Sequence, residues 1–252
     1  MNRVTVVGFD LDMTLVDSAT GIAATLRTAL AEVGVAVTPE RLWPWVGVPL
    51  DGVLAQVAPD VDVDAVVARY RALYPVVGVP SITPLPGARE ALDAVEATGG
   101  RVVIVSAKVA DTVRAVLEHV HLAGNGESER LVVGGLFAAA KGTALREHGA
   151  SVYVGDHPGD VEAARAGGAL SVAVATGPHG AQALRDRGRT SSCRTSRPSR
   201  AGWPATCGGP ERRPASAASS RSLTTRRSAA VSLGALVRRS CRSEGSTCLQ
   251  AR

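Results

Sequence analysis

The sequence predicts an α/β fold: a five-stranded parallel sheet with helices on both faces and a helical insertion after the first strand. Up to about residue 185, short β-branched runs alternate with longer helical periods, the pattern of crossover units. Roughly 80 residues separate the first run from the second and hold helical patterns but no strand, whereas a crossover helix needs only about a dozen. Carboxylates, a hydroxyl and a lysine come directly after the strand runs, as they would on the ligand-binding rim of such a sheet.

The first run is 4–9, and it leads into Asp10-Leu-Asp12. An amphipathic helix is expected over 18–33, a capped helix start at Thr38-Pro39-Glu40, and a further helix over 62–74. Linkers near Asp17 and at Thr83-Pro84-Leu85-Pro86-Gly87 would hinge this insertion, residues 17–83, to the sheet. A helix over 87–98 is stopped by Gly99-Gly100, and the second strand is 101–105. The helix over 110–120 carries an apolar stripe of Val113, Val116, Leu117 and Val120, and further strands are expected at 131–133, 152–154 and 171–174. Residues 1–16 and 84–185 would form the sheet core.

A 252-residue chain that is 45% hydrophobic can bury a substantial core. Its longest apolar runs fall far short of the roughly 18 residues of a membrane span. Asp10 and Asp12 also precede any signal-like segment, so a soluble, cytoplasmic protein is expected. The net charge of +5 conceals two regions: residues 1–188 carry 15 basic against 21 acidic groups, net −6, and 189–252 carry 13 against 2, net +11. All four cysteines, Cys193, Cys207, Cys241 and Cys248, lie in the second region without metal-site spacing. The tail from 186 to 252 is expected to be disordered. Its charge would attract phosphate backbones, but with Trp203 as its one aromatic and no repeat it is a nonspecific nucleic-acid signal. Its serine richness fits a frameshift beginning near Arg187, because TCN serine codons read in the frame starting on the third base encode Phe, Leu, Ile or Val.

The strand ends carry the chemistry. Asp10, Asp12 and Thr14 lie just beyond the first strand, Ser106 and Lys108 beyond the second, and Asp156, His157 and Asp160 beyond the fourth, with Lys141 between the third and fourth. Asp10 and Asp12, two residues apart in an extended segment, point to the same side and can address one reacting centre. With Asp156 and Asp160 they form a carboxylate cluster that calls for a cation, and oxygen ligands of this type suit Mg²⁺.

In its ordered motifs "FDLDMTL", "VIVSAK", "AAAKGTALREHG" and "VYVGDHPGD", the chain resembles the haloacid-dehalogenase-like superfamily, and specifically its phosphoglycolate-phosphatase-like members with a small helical cap. The resemblance implies a Rossmann-like core, a cap at 17–83 and a Mg²⁺-dependent phosphatase acting on a small phosphorylated metabolite. A mutase of the same superfamily is the alternative, and a catalytically silent nucleic-acid binder is the alternative from another class. By the resemblance, Asp10 is the nucleophile and Asp12 the acid/base, while Ser106 and Lys141 hold phosphate oxygens. Asp10, the Asp12 carbonyl, Asp156 and Asp160 bind the metal. Lys108 competes with Lys141 for the motif lysine; the chain has no third lysine. Met13 stands where many relatives have glycine. His157 is expected to line the loop, and Trp43, Trp45, Tyr70 and Tyr74 to pack within the cap. Arg41, Arg69 and Arg71 are candidate anchors for a substrate carboxylate.

Overall fold

The computed structural model describes residues 5–124 and 130–189. The sheet is built from β1 (Val6–Phe9), β4 (Arg101–Val105), β5 (Leu131–Val133), β6 (Ala150–Gly155) and β7 (Leu170–Ala173), ordered β5-β4-β1-β6-β7 with every pairing parallel. All five expected strands are present, within two residues at each end. The two short strands missing from the sequence reading, β2 (Val16–Asp17) and β3 (Thr83–Pro84), pair antiparallel where linkers were expected. They tie together the two ends of the helical insertion.

Strand alternation sorts the core into two layers. Val7, Phe9, Val102, Ile104, Val152 and Val154 pack on one face, with the apolar stripes of α5 (Ala88–Glu96) and α6 (Ala110–His119). Val6, Val103, Val105 and Tyr153 pack on the other, against Ala144 and Leu145 of α7 (Lys141–Glu147) and Ala163 and Ala164 of α8 (Pro158–Gly167). Coverage on both faces is what permits strands with scarcely a polar residue. Gly8 is glycine because a Cβ there would come within 2.8 Å of both the Leu145 and Tyr153 side chains.

The insertion consists of α1 (Ala19–Ala31), α2 (Pro39–Leu42), a 3₁₀ turn Trp43–Trp45, α3 (Leu50–Val57) and α4 (Val63–Val77). Asp62 caps α4 by accepting the Ala65 amide at 3.0 Å. Helices α1 and α4 approach closely at Gly21, where a Cβ would sit 2.5 Å from the Gly78 carbonyl oxygen. Tyr70 and Tyr74 pack as expected, with ring centroids 5.2 Å apart and both side chains buried. Trp43 does not: it is 42% exposed, because the 3₁₀ turn directs it outward, while Trp45 is half-buried.

A last helix, α9 (Ala181–Arg189), crosses the expected boundary at 185 and buries Leu184. The remainder of the tail, with its four cysteines, lies outside the described residues. Among the described residues, no helix is long and apolar enough to cross a membrane.

Candidate active site

Strand order reverses at β1, since the chain builds outward through β4 and β5 and then returns to its other side with β6 and β7. The crevice beyond the carboxyl ends of β1, β4 and β6 is therefore the topological switch point. Asp10 stays in register there, its amide donating to the Val154 carbonyl at 2.9 Å. After Asp12 the chain turns sharply: Met13 takes a left-handed φ of 55°, the conformation that favours glycine, and its amide donates to the Val16 carbonyl at 2.8 Å.

Asp10, Asp12, Ser106, Lys141, Asp156 and Asp160 are all buried at this rim. The two lysines serve different carboxylates. Lys141, at the start of α7, donates to Asp10 Oδ1 and to Asp160 Oδ1, each at 2.8 Å. Lys108 donates to Asp12 Oδ2 at 2.6 Å and lies over the Tyr74 ring, 5.1 Å from its centroid. Lys141 thus makes two ion pairs and Lys108 one, with no carboxylate shared between them. Asp12 Oδ1 is buried without a hydrogen-bond partner. Ser106 Oγ accepts the Lys108 amide at 3.2 Å, and α6 starts only at Ala110 with Val109 as its N-cap, so Ser106 does not cap that helix.

Asp160 has two jobs. Its Oδ1 faces Lys141 and its Oδ2 accepts the His157 amide at 3.0 Å, while His157 Nδ1 accepts the Gly159 amide at 2.9 Å, completing a reciprocal cap on α8. Gly155 makes room for this arrangement, since a Cβ would fall 2.3 Å from Asp160 Oδ2. His157 is held by its capping role and by edge contact with His179 at 4.6 Å. Burial, with lesser opposition and support from nearby charges, pushes its pKa down to about 4, so it is neutral near pH 7.

Asp10, Asp156 and Asp160 each offer a carboxylate oxygen within 4.8 Å of the others. Burial raises the Asp10 pKa to about 7; Lys141 opposes this, while Asp160 and Asp12 add to it. Burial, then the charges of Asp10 and Asp160, likewise holds the Asp156 carboxyl well above the carboxylate range. For the two lysines burial favours the neutral amine, but the facing carboxylates outweigh it and keep both ammonium groups charged. The carboxyl side chain of Asp12 is outside the three-carboxylate group.

Three contacts escaped the sequence reading. Thr14 Oγ1 donates to Asp156 Oδ1 at 3.1 Å. The loop after β7 closes over the rim, with Thr176 Oγ1 donating to the Met13 carbonyl and Gly177 lying so near Asp156 that a Cβ would sit 1.9 Å from Oδ2. The signal for Thr176 and Gly177 was their position just beyond the fifth strand, on the same rim as the other strand ends. Of the three candidate anchors, Arg41, Arg69 and Arg71 are all exposed, and Arg69 pairs with Glu32 at 2.6 Å.

Comparison with known proteins agrees with this architecture. Residues 7–125 match the family described as haloacid dehalogenase-like hydrolase, and residues 133–194 match a second description of the same hydrolase type. A phosphoglycolate phosphatase from Xylella fastidiosa is 32% identical over 188 residues, 67% of this chain and 79% of that protein. Another from Aquifex aeolicus is 29% identical over 175 residues, covering 65% and 81%. A haloacid dehalogenase-like family hydrolase of solved structure from Streptococcus pneumoniae superposes with a TM-score of 0.64 at 22% identity, over 74% of this chain and 92% of that one. The chain thus belongs to the haloacid dehalogenase-like hydrolase family and, within it, is a phosphatase of the phosphoglycolate-phosphatase-like type.

Proposed function

We propose that the protein hydrolyses a small phosphomonoester, phosphoglycolate- or sugar-phosphate-like, through an aspartyl-phosphate formed on Asp10. The observation that carries this reading is the division of labour between two neighbouring carboxylates: Asp10 shares Lys141 with Asp160, whereas Asp12 has its own lysine and a buried, unpartnered Oδ1. In the first step a carboxylate oxygen of Asp10 attacks phosphorus, the bond from phosphorus to the ester oxygen breaks, and Asp12 gives its proton to the leaving alkoxide. In the second, Asp12 takes a proton from water as the water oxygen attacks phosphorus, releasing phosphate and restoring Asp10. Lys141 neutralises Asp10 and, with Ser106, holds phosphate oxygens. Lys108, paired with Asp12, would act on the leaving-group side and remains the second candidate for holding a phosphate oxygen.

The donor set fits a divalent cation: three buried carboxylates, of which burial first and mutual repulsion second raise the pKa values of Asp10 and Asp156, all offering hard oxygen ligands. Asp10, Asp156 and Asp160 would hold Mg²⁺ together with the Asp12 carbonyl, and the ion would supply charge neutralisation for the phosphate dianion. The helices between β2 and β3 act as the cap, and residues 84–185 with 1–16 as the core. Phosphate release across a metabolite panel, with and without Mg²⁺, tests the reading. Metal-dependent release abolished by Asp10→Asn is expected, and equal activity of wild type and variant would remove Asp10 as nucleophile.

A further inference from the structure

The loop between β7 and α9, residues 174–180, closes the rim on the side where Asp156 stands, and two of its residues touch the metal-binding segments directly. Of the three carboxylates grouped there, Lys141 holds Asp10 and Asp160 but not Asp156. Asp156 is fixed instead by neighbours without charge. Thr14 Oγ1 donates to its Oδ1 at 3.1 Å, and its Oδ2 lies so close to Gly177 that no side chain fits between them. Thr176 Oγ1 meanwhile donates to the carbonyl of Met13, the residue that follows Asp12. Resting on the metal site of the phosphatase reading, we propose that Thr176 and Gly177 are positioning residues for the divalent cation. Gly177 sets where Asp156 presents its carboxylate, and Thr176 holds the turn that carries the Asp12 carbonyl.

Space rather than backbone freedom makes residue 177 a glycine. Unlike Gly135 and Gly168, Gly177 has no left-handed φ. A Cβ there would overlap Asp156 Oδ2 and come within 3.0 Å of the carboxyl carbon and 3.2 Å of Met13 Cβ. Either the carboxylate moves, or the loop retreats and gives up the Thr176 hydrogen bond; both disturb an oxygen of the donor set. Thr176 acts on the other donor. Met13 sits in the left-handed region, which disfavours a residue with a side chain and persists only where its surroundings hold it. Its amide is tied to the Val16 carbonyl at 2.8 Å and its carbonyl to Thr176, so the turn is held from both ends. Without the hydroxyl the carbonyl end is released, and the neighbouring Asp12 carbonyl is free to swing with it. Groups of this kind orient a metal's own ligands, and removing one typically costs about 10–100-fold in metal affinity.

Calorimetric titration of Mg²⁺ into the full chain tests the assignment, with melting temperatures in chelator measured alongside. Gly177→Ala, and Thr176→Val, which removes the hydroxyl but keeps the shape, should each raise the Mg²⁺ Kd about 10–100-fold. Thr176→Ser retains the donor and should bind as the wild type does. So should Gly180→Ala, the control in the same loop, because a Cβ at Gly180 meets nothing within 4 Å. Gly177→Ala or Thr176→Val, folded and binding Mg²⁺ with the wild-type Kd, overturns the proposal even if it melts lower in chelator, since the loop would then be structural only. Thr176→Ser or Gly180→Ala binding as weakly as Thr176→Val overturns it as well. If Gly177→Ala does not fold, the comparison of Thr176→Val with Thr176→Ser decides, and equal Kd values sink the proposal. In all these outcomes the phosphatase reading stands. A wild type that takes up no Mg²⁺ instead removes the metal site from that reading, and this proposal with it.

Discussion

Asp12 and Lys141 are the residues whose removal is most informative. Asp12→Asn keeps the shape but cannot shuttle a proton and leaves the buried Lys108 ammonium without its counter-charge, so kcat should fall by about 10²–10⁴ and the melting temperature should drop as well. Steady-state assays paired with thermal melts separate this from misfolding. Lys141→Ala acts on both function and fold. It leaves Asp10 and Asp160 buried without their shared cation and should cost about 3–5 kcal/mol in urea denaturation, along with activity. Asp10 also sets a pH dependence. Its folded-state pKa of about 7 lies above its unfolded value, so the folded protein holds the proton more tightly. Without divalent cation, the stability contributed by this protonation is full below the unfolded pKa and is lost as pH rises through about 7. Urea midpoints in chelator should therefore decline between about pH 5 and pH 7.5, and the decline should shrink in Asp10→Asn.

At the scale of elements, the contact between α1 and α4 and the turn after β1 are the sensitive points. Gly21→Ala would place a methyl 2.5 Å from the Gly78 carbonyl oxygen, and backbone cannot yield as a side chain would. The helices must move apart, at a cost of about 1–3 kcal/mol that chemical denaturation would show. Because Leu26 of α1 and Tyr70 of α4 line the pocket at Asp12 and Lys108, activity should fall together with stability. The turn after β1 was harder to read in sequence. Two aspartates two residues apart suggested a shared side of an extended segment, and the chain turns only after them, at Met13 with its left-handed φ. Periodicity located strands and helices because it reports which face each buries. It does not report which lysine meets which carboxylate.

For the whole molecule, the rim gathers charge from segments more than a hundred residues apart, and the fold holds it together by packing both faces of a five-stranded sheet. Three buried carboxylates share the single Lys141 ammonium, which pairs with only two of them, so Mg²⁺ should raise the thermal midpoint of the wild type measurably. Asp156→Asn should remove most of that increment, and calorimetry with and without Mg²⁺ checks it. The insertion is joined to this frame through the β2–β3 pair, whose two strands are only two residues each. Neither strand was legible beforehand: a run that short carries no period, and Pro84 reads as a linker.

The amino-acid sequence by itself determined the α/β class, the five strands, the helical insertion and the residues brought to one rim, because hydrophobic period and the chemistry at strand ends are local properties of the chain. Tertiary structure decided the rest. It assigned Lys141 to Asp10 and Asp160 and Lys108 to Asp12, gave Asp160 its second role in capping α8, and brought Thr176 and Gly177 over the site. It also left Arg41, Arg69 and Arg71 of the insertion exposed and set aliphatic side chains such as Leu26, Val48 and Val53 around the pocket at Asp12 and Lys108. Those outcomes depend on distances between segments remote in sequence, which the packing of helices on the sheet sets and no local pattern encodes.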